Sequence, residues 1–301
     1  MTQATFGPLH DEAVAIDCGG ERLWGVLTRP AHNDVALDVA MLVVVGGPQY
    51  RVGSHRQFVR LARAVASCGV PCLRFDYRGM GDSEGALRSF EQAGDDLQAA
   101  LDALARLVPQ ARRLVVWGLC DAAAAAMMFA TADPRVAGLV LANPWARSDA
   151  TLGAARVKHY YGARLLEREF WAKLLGGRFD WRASWRSLRG NLGHALRRPA
   201  ATNRGSVASF QSRMAAGLRG FTGRALLLVS EKDLTALEFL QYTSASPEWR
   251  GLLQRPGLRR ADIAGADHTF SSRPWAERVE AVTCQWLQEL AAARPSISED
   301  T

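Results

Sequence analysis

No uncharged apolar run in this chain approaches the roughly 20 residues needed to cross a bilayer, so a membrane-spanning helix is not expected. Cysteine is scarce: Cys18, Cys68, Cys72, Cys120 and Cys284 are odd in number, scattered and without paired zinc spacing, which argues against a disulfide framework and a structural metal. The opening Met1-Thr2-Gln3-Ala4-Thr5 lacks a basic-then-apolar signal pattern, and a reducing, cytoplasmic setting is the expectation. Also missing are a Gly-Lys-Ser/Thr phosphate loop and a Gly-x-Gly-x-x-Gly turn opening a helix, so no nucleotide, and no other cofactor, is expected. Neither an internal repeat nor a low-complexity domain is present, which excludes solenoid architectures.

What is present suffices for a full core. With 301 residues and 48% hydrophobic content, one catalytic domain with an insertion is expected. The formal charge of +7 is concentrated: between Arg147 and Arg224 the only acids are Asp149, Glu167, Glu169 and Asp180, against a long series of arginines. That stretch carries no nucleic-acid-binding motif, so nucleic acid is not an expected partner; an anionic substrate or a membrane surface remains one.

Hydrophobic patterning predicts an opening hairpin over 13–17 and 23–28, then alternating strands and helices. Strands are expected at 39–45, 70–75, 113–117, 136–141, 225–229 and 259–264, and helices at 55–67 (capped by Ser54), 90–107, 121–130 and 274–292. This succession predicts a mostly parallel sheet with helices on both faces. The alternation lapses after Asn143-Pro144-Trp145, and the basic segment with Trp171, Trp181 and Trp185 reads as a helical lid over the carboxyl edge of the sheet. The expected division is a core of 1–145 and 223–301 and a lid of 146–222.

The chemistry centres on Gly118-Leu119-Cys120-Asp121-Ala122, where an apolar strand runs straight into an alanine-rich helix. A sharp strand-to-helix corner strains its central residue and leaves no room for side chains two positions away on either side, which Gly118 and Ala122 satisfy. The helix start aims free amide groups at the sulfur, so Cys120 is a candidate nucleophile. Such a nucleophile needs a base, and the base an orienting carboxylate. After the strand ending at Val229 comes Asp233, and after the strand ending near Ala264 comes His268; these are the candidates, with Glu231 and Asp267 as competing acids. An oxyanion hole is expected from the N–H of Asp121 and a second donor in the loop Val45–Arg56; Pro48 has no N–H, which leaves Gly47 or Gln49. In the same loop Arg51, His55 and Arg56 are candidate ligands for an anionic substrate group. The charged loop from Arg74 to Gly85 is expected to be a structural network beneath the site.

Asp76-Tyr77-Arg78-Gly79-Met80-Gly81-Asp82-Ser83 resembles the Asp-x-Arg-Gly-x-Gly-x-Ser loop of the α/β-hydrolase superfamily, whose order of elbow, acid and histidine the chain shares. More narrowly, the string Val45-Gly46-Gly47-Pro48-Gln49-Tyr50-Arg51-Val52-Gly53-Ser54-His55-Arg56 and Gly118-Leu119-Cys120-Asp121 resemble the exosortase A system-associated hydrolase 1 family. The resemblance implies an α/β-hydrolase fold and an association with bacterial exopolysaccharide and exosortase systems. Three functions are consistent with these residues: a hydrolase of a small-molecule or glycan-linked ester or thioester through an acyl-cysteine, an acyltransferase using the same cysteine, and a non-catalytic binding module. Oligomeric state is not legible.

Overall fold

The computed structural model describes residues 8–30, 37–47, 49–146 and 208–293. In chain order these form β1 (Leu9–Cys18), β2 (Glu21–Pro30), β3 (Val39–Val44), α1 (Gln57–Ser67), β4 (Cys72–Phe75), α2 (Gly94–Leu107), β5 (Arg113–Leu119), α3 (Asp121–Phe129), β6 (Val136–Ala142), α4 (Phe210–Gly220), β7 (Arg224–Ser230), α5 (Leu234–Ala245), β8 (Leu258–Ile263) and α6 (Arg273–Ala292). The strands form one eight-stranded sheet in the order β1-β2-β4-β3-β5-β6-β7-β8. The opening hairpin, whose turn Gly19-Gly20 takes positive φ at both residues, pairs antiparallel to the rest; from β4 to β8 every pairing is parallel.

Side chains of successive strand residues point to opposite faces, and both faces here are apolar. In β3 all six residues are buried. Ala40, Leu42 and Val44 join a core that α2, α3, α4 and α5 cover, while Val39, Met41 and Val43 join a second core beneath α1 and α6, where Phe58 meets Trp117 edge to face. This is the α/β-hydrolase fold, with a mostly parallel sheet sandwiched between helices.

The topology places a crevice. From β3 the chain turns through α1 on one face to β4; from β4 it returns through α2 on the other face to β5. Loops leaving the carboxyl ends of β3 and β5, adjacent strands, therefore diverge to opposite faces, and ligands bind in such a gap. The loop after β3 and the corner after β5 are the two segments singled out above.

Three expectations change. Ser54 does not cap α1: the helix starts after two left-handed residues, His55 (φ 53°) and Arg56 (φ 59°), with Arg56 at the cap position and no side-chain cap bond. Helix α5 has no counterpart among the predicted elements. Residues 209–222 belong to the core rather than to the insertion, which is a unit of its own over Arg147–Ala208; its residues 147–207, with Trp171, Trp181 and Trp185, lie outside the described residues. Helix α4 buries Met214, Ala215 and Leu218, and Gly217 lies so close to α3 that a Cβ there would collide with the Met127 carbonyl oxygen.

Candidate active site

Cys120 sits at the corner between β5 and α3 with φ 62° and ψ −121°, a conformation that costs a non-glycine residue about 1–3 kcal/mol. Backbone bonds hold it there: its N–H donates to Ala142 O (2.9 Å), and its carbonyl accepts from Trp145 N (3.1 Å) and from Ala123 N (3.1 Å) in the first turn of α3. The flanking small residues are required. A Cβ on Gly118 would lie 2.6 Å from the Ala122 carbonyl carbon and oxygen, and Ala122 itself is fully buried.

Asp233 and His268 follow β7 and β8. The Asp233 carboxylate caps α5, accepting from Thr235 N (3.0 Å) and Ala236 N (3.2 Å), and its Oδ2 lies 2.7 Å from His268 Nδ1. With Nδ1 so engaged, Nε2 is the nitrogen left to face Cys120, whose side chain is among the groups that raise the His268 pKa. Asp233 is only 6% exposed and His268 33%. The bond to Asp233, followed by the side chain of Cys120, raises the His268 pKa from 6.5 to about 10 despite partial burial.

The competing acids are occupied elsewhere. Glu231 accepts from Gly265 N (2.6 Å). Asp267 accepts from the Ser271 amide (2.9 Å) and hydroxyl; although burial opposes it, these bonds and the charge of His55 keep its carboxyl below the usual range.

A further network, absent from the sequence reading, fixes the histidine loop. Asn143, fully buried after β6 with φ 41°, donates to Ser230 Oγ (2.8 Å) and to the carbonyl of His268 (3.0 Å), and accepts from Ser230 N (2.8 Å). Ser230 Oγ in turn donates to Asp267 O (2.8 Å). The strand between Cys120 and Asp233 in the sheet thereby reaches across to the His268 loop. The only signal in the sequence was a polar Asn143 and Ser230 at the ends of two apolar strands.

The oxyanion expectation is altered by a side chain. Gly47 takes φ 58°, and its N–H donates to both carboxylate oxygens of Asp121, at 2.8 and 3.0 Å. Burial pushes the Asp121 carboxyl up, while the amides of Gly47, Ala122 and Asp121 itself and the charge of His268 favour its ionised form. Gly47 is therefore not an open donor here: its N–H already has an anion. Gln49 accepts through its side chain from Gln57 Nε2 (3.4 Å), and Pro48 lies outside the described residues.

Arg51 is likewise not free for a substrate anion. Its guanidinium pairs with the fully buried Asp76 and with Asp82, and its N–H donates to Asp76 Oδ1 (2.5 Å). It ties the loop after β3 to the loop after β4, where Gly81 is obligatory because a Cβ would run into the Asp76 carboxylate. Arg78 anchors the same loop to Asp96, with Nε–Oδ1 at 2.6 Å, so the Arg74–Gly85 segment is a scaffold for the site. His55 and Arg56 remain exposed at the rim. Among the described residues no cluster of three metal-ligating side chains occurs, and no helix is long and apolar enough to cross a membrane.

Comparison with solved structures yields the same fold over nearly the whole chain. An esterase of Pyrococcus furiosus is 16% identical, with 93% of each chain covered and a TM-score of 0.61. Est1E of Butyrivibrio proteoclasticus with ferulic acid bound is 17% identical, covering 93% of this chain and all of its own, at 0.60. A Xanthomonas campestris α/β serine hydrolase without lid is 14% identical, covering 96% and 99%, at 0.57. No curated protein matches. The family model for serine aminopeptidase, S33, matches residues 40–201, which include the loop after β3, the Asp76 loop and the corner at Cys120. Spanning more than half of the 301 residues, and in agreement with the fold, that match shows that the chain belongs to the serine aminopeptidase S33 family of α/β hydrolases.

Proposed function

We propose that the protein hydrolyses a carboxylic ester or thioester through an acyl-cysteine intermediate, with Cys120 as nucleophile, His268 as base and acid, and Asp233 as the residue that orients the imidazole. The observation that carries this reading is the 2.7 Å bond from the Asp233 carboxylate to His268, with the ring electrostatically coupled to a sulfur on a strained corner. A cysteine that merely filled a core would need neither that backbone nor that partner. The three residues come from β5, β7 and β8, which lie at one end of one sheet.

In the first half-reaction the sulfur attacks the carbonyl carbon, with its proton held by His268, and an Sγ–C bond forms as the carbonyl π electrons move onto oxygen. The intermediate collapses with cleavage of the bond to the leaving oxygen or sulfur, which takes the proton from His268. In the second half-reaction water gives a proton to His268, attacks the thioester and releases the carboxylic acid and the free thiol. Asp233 keeps Nδ1 protonated throughout, so Nε2 faces the chemistry. The second anchor for the developing oxyanion, beyond the amide of Asp121, comes from the loop after β3.

The names of two structural relatives, an esterase and a protein holding ferulic acid, agree with a carboxylic substrate. Both His55 and Arg56 at the rim suit an anionic group on it, and the resemblance of the elbow and the loop after β3 to the exosortase-associated hydrolases points to acyl groups handled in exopolysaccharide systems. The test is intact-mass analysis after exposure to a panel of activated esters and thioesters. The expected result is an acyl adduct on Cys120 that the Cys120→Ala variant lacks, together with loss of turnover in that variant; undiminished turnover in the variant would refute the assignment.

A further inference from the structure

The expected oxyanion donors are the amide after the nucleophile and an amide in the glycine loop after β3. Both bear on one group in this protein, and it is not a substrate. The Gly47 N–H is shared between the two carboxylate oxygens of Asp121, and the amide of Asp121 itself favours the same carboxylate in its ionised form. Nor is this a surface side chain folded back by chance. The loop backbone is built around it: a Cβ on Gly46 would collide with Asp121 Oδ1, and Gly47 needs its left-handed φ of 58° to present its N–H.

We propose that the Asp121 carboxylate is an internal occupant of the oxyanion hole, closing it in the resting protein, and that acylation of Cys120 requires this side chain to be displaced. The inference rests on the acyl-cysteine reading above and deepens it. A carbonyl oxygen becoming an anion cannot share the Gly47 N–H with a carboxylate already there, because two negative charges in one donor pocket repel and one N–H cannot satisfy both. Rotation of Asp121 about its Cα–Cβ bond frees the donor without moving the backbone of α3. The side chain is thus a specificity-determining residue: substrates that supply enough binding energy elsewhere to displace it are acylated, and small ones are rejected. The opposing interpretation makes the Gly47–Asp121 bond a tether that holds the donor loop in place, and it predicts the reverse effect of removing the carboxylate.

The experiment compares the wild-type protein with Asp121→Ala and Asp121→Asn. Two rates are followed on each: acylation of Cys120 by p-nitrophenyl acetate, read as the nitrophenolate burst, and alkylation of Cys120 by iodoacetamide, which needs no oxyanion donor. The expected result is acylation about ten- to a hundredfold faster in Asp121→Ala, the range that one hydrogen bond to a charged group is worth, with a smaller gain in Asp121→Asn and a much smaller change in alkylation. The near-isosteric asparagine variant keeps the test available if the alanine variant does not fold, and an asparagine variant that acylates no faster than wild type overturns the proposal. Slower acylation in Asp121→Ala also overturns it, in favour of the tether. If none of the three proteins acylates and Cys120 alkylates only as a free thiol does, the acyl-cysteine reading itself fails, and this inference with it.

Discussion

Replacement of Asp233 by asparagine separates the two tasks that its carboxylate performs. One is structural: it caps α5 through Thr235 N and Ala236 N, and asparagine caps helices about as well as aspartate, so this contribution should survive to within a few tenths of a kcal/mol. The other is electrostatic. The bond to Asp233 is the largest cause of the rise in the His268 pKa from 6.5 to about 10, and a neutral carboxamide removes the charge while its NH2 can face Nδ1 and hold the ring in the wrong tautomer. General acid–base catalysis by a positioned histidine is worth about 10²–10⁴-fold, so Asp233→Asn should lower kcat/KM by at least about 100-fold, with the fall in Tm largest near pH 5, where the charged pair contributes in full, and smallest near pH 10. The pH dependence of stability gives a second check. A histidine whose folded pKa lies above its unfolded value contributes stability that is complete below about pH 6.5 and is lost as the pH rises through about 10; the variant should lose most of that slope. Steady-state hydrolysis of an activated ester, thermal unfolding from pH 5 to 10 and an NMR titration of the His268 ring measure all three. Activity within threefold of wild type, with the ring still titrating near 10, would show that Asp233 is only a helix cap.

Two further outcomes follow from the scaffold. Gly118→Ala puts a methyl group 2.6 Å from the Ala122 carbonyl, so it should destabilise the protein by about 1–3 kcal/mol and slow Cys120 alkylation, as chemical denaturation and thiol labelling would show. Asp76→Ala removes the buried partner of Arg51 and should cost about 3 kcal/mol in denaturant unfolding; a cost below about 1 kcal/mol would mean that Asp82 alone suffices to hold the loop.

The sequence already carried the fold because its strands are buried on both faces, so β3 to β7 stand out as continuous apolar runs between helical stretches. The candidates Cys120 and Asp233 stood out for a related reason, since each lies just beyond such a run, whereas His268 follows the polar edge strand β8 and stood out by its place in the order that this architecture requires. What escaped were partnerships across long sequence separations and side chains with more than one use. Nothing local to Arg51 reveals that Asp76 and Asp82 consume it, and nothing near Asn143 reveals its bond to the His268 carbonyl, 125 positions away. At Asp121 the sequence drew attention to the amide, and the bond its carboxylate makes to Gly47 was not legible. Composition concealed α4, because Arg213 and Arg219 extend a basic stretch while Met214, Ala215 and Leu218 turn inward; α5 was missed as a run of mixed residues with buried positions only at Ala236, Phe239 and Thr243.

The close approach at Gly217 has a mechanical consequence. Because the backbone of α4 rests on the Met127 carbonyl with no side chain between them, the two helices have no cushion through which one can slide unnoticed by the other. A displacement of α4 is therefore delivered to the rod whose opposite tip is Cys120, so the seam between the two helices ties the position of that sulfur to the seating of α4.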